Sequence, residues 1–152
     1  MESVALKRSV LKAAMSHLEA TVKDLQERIT DLKSITLGDD NAESASQTES
    51  MRGSDVELMN SLGDQLDHVR QDIERLAAID PAIALDVVQY GAVVHTDQRN
   101  FLIGASLEEF DAGGKSYLGV TPKAPVIQAL YGMRRGENAT VNGTTYTVGD
   151  IL

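Results

Sequence analysis

The chain reads as an α+β protein: an N-terminal antiparallel helical coiled-coil hairpin, then a small antiparallel sheet packed on a short helix. Three observations predict this. Two stretches carry narrow apolar seams at heptad spacing, a polar turn-rich stretch separates them, and Pro81 is followed by short β-branched runs punctuated by glycine. The chain divides accordingly into a hairpin over 1–80 and a sheet domain over 81–152.

The first helix is expected from about Ala5 to Ile35. Its seam is Leu11, Met15, Leu18, Val22, Leu25, Ile29 and Leu32, alternating steps of four and three. That repeat makes a stripe wide enough for one partner helix. Glu19–Lys23 and Asp24–Arg28 are opposite charges four apart, as suits a solvated helix side. The second seam is Met59, Leu62, Leu66, Val69, Ile73 and Leu76. Ser54-Asp55-Val56-Glu57 fits a capping box at its start, and Asp80-Pro81 ends it. Two similar seams joined by a polar bend predict an antiparallel hairpin with its apex in Gly38–Glu49, GDDNAESASQTE.

Beyond Pro81 the signals are those of strands and turns. Asp86–Thr96 is rich in β-branched residues, and Asn100–Gly104 is a short apolar run. Gly113-Gly114 is a turn between Leu107–Phe110 and a strand around Ser116–Val120. Ala124–Tyr131 is a short helix with Pro125 in its first turn, stopped by Gly132. Asn142-Gly143 joins Asn138–Val141 to Thr144–Val148 as a type I′ hairpin.

Charge and composition narrow the function. The net charge is −9 over 152 residues, and residues 36–80 hold most of the excess, with three basic and eleven acidic groups. A basic footprint for autonomous nucleic-acid binding is absent, whereas a basic protein partner is compatible. There is no cysteine, so thiolate metal sites, disulfides and cysteine nucleophiles are excluded. No run approaches the roughly 20 apolar residues of a membrane helix. The charged start MESVALKRSV lacks the apolar core of a signal peptide, so a cytoplasmic protein is expected. His17, His68 and His95 show no metal-ligand spacing and are expected in surface or structural roles.

Two stretches carry a family likeness. Pro125-Val126-Ile127-Gln128-Ala129-Leu130-Tyr131-Gly132, then Met133-Arg134-Arg135-Gly136-Glu137, resembles the C-terminal motif of the bacterial Gre-type transcript cleavage factors. The spacing from Pro125 to Gly136 is kept and a strand hairpin follows. Two basic positions of the family are Gln128 and Met133 here. At the apex, Asp40-Asn41-Ala42-Glu43 resembles the family's Glu-Asn-Ala-Glu, with Asp39 beside it. The family's preceding acid and following Tyr are replaced by Leu37 and Ser44.

The resemblance implies an FKBP-like C-terminal domain that docks on RNA polymerase at the mouth of its secondary channel, and a hairpin that enters the channel. It implies a monomer that meets the nascent RNA 3′ end only indirectly. The docking contacts fall to Pro125, Val126, Gln128, Leu130, Arg134 and Arg135. The implied apical site is Asp39, Asp40 and Glu43, with Asp40 and Glu43 as Mg²⁺ ligands shared with the polymerase for cleavage of backtracked RNA. Asp40 and Glu43 are three apart and share a face if that turn is helical. Mg²⁺ takes a few carboxylates and keeps several waters, so a donated pair completes a half-built site without forming one alone. No enzyme activity of the chain's own is expected, since the apex offers neither a nucleophile nor a full metal shell. A channel-occupying inhibitor without cleavage activity and a coiled-coil adaptor or chaperone are the alternative readings. A prolyl isomerase is suggested by fold kinship alone, which does not imply activity.

Overall fold

The computed structural model describes residues 2–37 and 45–152, with side chains from 3–34 and 55–152. The element order is α1 (Glu2–Leu37), α2 (Ala45–Ala77), β1 (Val93–Thr96), β2 (Asn100–Ile103), β3 (Leu107–Ala112), β4 (Lys115–Val120), α3 (Pro125–Leu130), β5 (Asn138–Val141) and β6 (Thr144–Ile151). The protein is α+β, as its sequence predicts. Its compact units are residues 18–71 and, separately, residues 1–17 with 72–152.

In the unit of residues 18–71, the two heptad seams meet. Leu25, Leu62 and Leu66 are buried, with Val22, Ile29, Leu32 and Val69 packed around them. Each fully buried leucine contributes about 1.5–3 kcal/mol. The flanks stay in water, where Arg28 Nε and Asp24 Oδ2 pair at 3.1 Å with both side chains more than half exposed. Such a pair adds a few tenths of a kcal/mol, roughly 0.3–0.5. The helix boundary differs from the sequence expectation at one end. α2 begins at Ala45, so Ser54 lies inside the helix and the Ser54–Glu57 capping box is not its start. ASQTESMRG holds no proline and only one glycine, so nothing in it breaks a helix propagating through. At the other end, Asp80 closes a turn: its Oδ1 accepts from the Ala82 N–H at 2.9 Å and its carbonyl accepts from the Ile83 N–H at 3.2 Å.

In the second unit, six strands form one sheet of order β3-β4-β2-β1-β6-β5. Every neighbouring pair is antiparallel except β2 and β4, which run parallel with Phe101 opposite Leu118. The sequence predicted antiparallel pairing alone. The parallel pair arises because the β3–β4 hairpin folds back to place β4, not β3, beside β2. The β-branched stretch from Asp86 is also mostly not strand. Only Val93–Thr96 joins the sheet, while Val88 instead bonds the turn after α3, its N–H to Met133 O and its carbonyl from Gly132 N, both at 2.8 Å. The β5–β6 hairpin turns at Asn142 (φ 50°) and Gly143 (φ 81°), the two left-handed positions a type I′ turn requires.

Both faces of the sheet are covered, where the sequence predicted one. On one face Val94, Phe101, Ile103, Val120 and Val148 pack with Ile127 and Leu130 of α3. Successive strand residues alternate faces, so Val93, His95 and Leu102 turn to the other. There the first turns of α1 and the last of α2 lie: a Cβ on Gly113 would come 2.7 Å from Leu6 Cδ1, and one on Gly104 2.7 Å from Leu76 Cδ2. Val10, Ala14 and Leu76 are buried accordingly. Lys7 is buried with them and caps a turn, its Nζ donating to Ile83 O at 3.3 Å. Burial pulls its ammonium pKa below the ordinary value, opposed by the charge of Asp80.

Gly119 marks the tightest approach. A Cβ there would lie 2.6 Å from Ala105 O and Leu107 Cβ and 2.9 Å from Leu107 N. Backbone cannot yield as a flexible side chain can, so Gly119→Ala must spread β3 from β4. Denaturant titration is expected to show a loss of about 1–3 kcal/mol, the usual cost of overpacking. Gly114→Ala, which meets nothing within 4 Å but sits at φ 81°, separates backbone strain from crowding.

His95 gives a second expectation. It is nearly buried and its Nε2 lies 2.9 Å from Tyr117 Oη. Burial, then the Lys115 charge, lowers its pKa, with Asp150 acting the other way. The folded state therefore takes up a proton less readily than the unfolded chain. The stability from a neutral His95 is complete above the unfolded value of about 6.5 and is lost as pH falls below it. Urea midpoints of the protein and of His95→Gln across that window are expected to converge as pH falls.

Candidate docking face and acidic bend

The short helix α3 is built to present an outer face. Ala124 precedes it in an extended conformation (φ −60°, ψ 135°), and Pro125 takes the first turn, where its missing N–H costs nothing. Ile127 and Leu130 are wholly buried and anchor the helix in the sheet core. Pro125 and Gln128 then point to solvent, and Val126 is half-buried. Of the six residues to which the resemblance gives docking, Leu130 thus lies beneath the face rather than on it.

The turn after α3 extends this face. Tyr131, 52% exposed, stands just past the helix end. Gly132 follows at φ 82°, a conformation open to glycine at little cost. Arg134 Nη1 meets Asp86 Oδ2 at 2.8 Å and Arg135 Nη1 meets Asp150 Oδ1 at 2.9 Å. The Arg134 N–H also donates to Glu137 Oε1 at 3.2 Å. The two guanidiniums are therefore oriented by acids from distant parts of the chain. All four side chains are more than half exposed, so each pair adds at most about 1 kcal/mol and leaves the arginines able to exchange partners. The face combines one exposed aromatic, a proline, an amide and two oriented arginines, a composition suited to protein contact.

Sequence reading passed over Tyr131 as a surface residue by placing it within the helix. Its position immediately before Gly132, one step past Leu130 on a helical wheel, was the available signal. Asp86 and Asp150 carried no local signal, being 48 and 15 residues from their partners Arg134 and Arg135.

Asp39, Asp40 and Glu43 lie outside the described residues. Among the described residues, no cluster of three or more His, Cys, Asp or Glu is arranged to hold a metal ion. The side chains of Asp39, Asp40 and Glu43 offer carboxylate oxygens, the hard ligand type that suits Mg²⁺. No helix among the described residues is long and apolar enough to cross a membrane.

No protein-family model matches the chain, and no curated protein matches it. Among solved structures, the chain is similar to the crystal structure of GreA factor homolog 1 (Gfh1) of Thermus thermophilus. The two are 14% identical over 93% of this chain and 96% of that one, with a TM-score of 0.33.

Proposed function

We propose that the chain is a Gre-like transcription elongation factor. It binds RNA polymerase at the secondary channel through the outer face of α3 and the Tyr131–Arg135 turn. Its acidic bend brings Asp40 and Glu43, with Asp39 beside them, to a Mg²⁺ held jointly with the polymerase. Such an ion supplies activation of water and stabilisation of the leaving oxygen in phosphodiester hydrolysis. The chain's own residues contribute charge and position. The nuclease is the polymerase, so the protein is a cofactor of that reaction and not itself an enzyme.

One observation supports the reading above the rest. The motif from Pro125 to Gly136 folds as an anchored helix with an exposed face, a glycine turn and two oriented arginines, followed by the Asn142-Gly143 hairpin. This is the order of elements in the motif that carries the family resemblance.

The departures at Leu37 and Ser44 favour a second reading, a channel-occupying regulator without cleavage activity. Stalled, backtracked elongation complexes of the source organism decide between the two. Short 3′ fragments appearing on addition of the protein with Mg²⁺ are the expected result. Slowed synthesis with binding but no fragments selects the second reading. No binding overturns both and leaves a coiled-coil adaptor.

A further inference from the structure

We infer that the α1 side of the sheet holds a binding site for a small organic carboxylate with an apolar chain, organised by His95, Lys115 and Ser3. The site is an open cavity of about 650 Å³, within the usual range of small-molecule pockets. It lies on the sheet face opposite α3, and Asp150, through its pair with Arg135, is its one link to the docking face proposed above. All its lining residues belong to one compact unit.

The polar lining is Ser3, His95, Lys115 and the acid Asp150. Tyr117 is wholly buried, and among the described residues its hydroxyl has one hydrogen-bond partner, His95 Nε2 at 2.9 Å. Burial raises the phenol's pKa, so it keeps its proton. A buried O–H must find an acceptor, so Tyr117 donates to Nε2. His95, whose own pKa is lowered by burial, is then the neutral tautomer carrying its proton on Nδ1. That N–H has no hydrogen-bond partner among the described residues, yet no buried side-chain nitrogen or oxygen there is left unsatisfied. Nδ1 is therefore accessible, and His95 lines the cavity. The phenol thus turns the imidazole into an outward hydrogen-bond donor.

Lys115 lines the same cavity and forms no ion pair among the described residues. Asp150 is also on the rim, but its carboxylate is engaged by Arg135 at 2.9 Å. Lys115 is therefore the charged lining side chain that has no ion partner among the described residues. Ser3 adds a hydroxyl, and Leu6, Ile151 and Leu152 give an apolar wall. A lysine, an imidazole N–H and a hydroxyl beside aliphatic surface fit a carboxylate head on an apolar body.

The test uses the full chain and octanoate as the probe. Ring-nitrogen NMR should first show His95 as the Nδ1–H tautomer. Octanoate should then shift the His95 ring signals saturably in the millimolar range or below. Lys115→Met should weaken binding about tenfold, the loss of one charge-assisted hydrogen bond, with unchanged amide exchange in β1 and β2. Octanamide and inorganic phosphate should each bind much more weakly. Unmoved His95 signals at tens of millimolar overturn the proposal, as does octanoate binding indifferent to Lys115→Met. Phosphate matching octanoate overturns the carboxylate assignment. None of these outcomes depends on polymerase binding.

Discussion

The Asp40→Ala, Glu43→Ala double variant is expected to lose transcript cleavage by two to three orders of magnitude while binding polymerase as the unaltered protein does. A metal ion in a hydrolytic site supplies several kcal/mol of charge stabilisation, and every ~1.4 kcal/mol is tenfold in rate. On the proposed function, removing both carboxylates removes the chain's contribution to holding that ion. Binding should survive because the proposed docking face is carried on α3 and the turn after it, in the other compact unit. Cleavage is read as 3′ fragments from a backtracked complex, and binding as retention on the same complex. A rise in the Mg²⁺ concentration needed for half-maximal cleavage by each single variant would mark the residue as a ligand. Retained cleavage in the double variant would remove Asp40 and Glu43 from the site. Asp39→Ala alone is expected to have the smaller effect, since Asp39 stands outside the Asp-Asn-Ala-Glu pattern.

Phe101→Ala should cost the sheet unit about 3–5 kcal/mol, the range for removing a buried phenyl ring. Phe101 is 1% exposed, pairs with Val94 across the antiparallel ladder and Leu118 across the parallel one, and packs with Ile127 and Leu130 of α3. Its ring centroid lies 6.1 Å from that of Tyr146 in a tilted arrangement, which brings β6 into the same cluster. Val94 and Leu118 are held in the ladders and Ile127 and Leu130 in α3, so the space should close only in part. With a typical domain stability of about 5–15 kcal/mol, the loss leaves a unit near its threshold. Hydrogen exchange at the Ile103 N–H, which donates to Ala92 O at 2.9 Å, reports that unit directly. Faster exchange there, with protection around Leu25 and Leu62 unchanged, is the expected pattern. On the proposed docking, polymerase binding should weaken as well, since α3 loses the core on which its outer face rests.

The parts legible from sequence are those governed by local spacing. Heptad steps identify the two helices and the faces they bury: Leu25, Leu62 and Leu66 are seam residues and are the buried centre of their unit. Asn142-Gly143 and Pro125 declare their turn and helix start because their backbone preferences act within two or three residues. The helix start at Ala45 was not legible, because a good capping pattern at Ser54 is only a local option and uninterrupted propagation through 45–53 competes with it.

What the chain order could not reveal is which distant segments share a surface. The parallel β2–β4 pair, the cover of α1 and α2 on the second sheet face, and the close fit at Gly119 all depend on contacts between segments far apart in sequence. The same holds for the oriented arginines, because Asp86 and Asp150 meet Arg134 and Arg135 only once the sheet is formed. His95 shows the division most clearly. In sequence it is one of three scattered histidines without a ligand pattern. In the fold, Tyr117 on β4 fixes one ring nitrogen and the α1 side leaves the other accessible, so tertiary packing alone sets its chemistry. Local backbone preference acts over a few residues and can be read along the chain, whereas burial, charge pairing and tautomer are properties of neighbours in space.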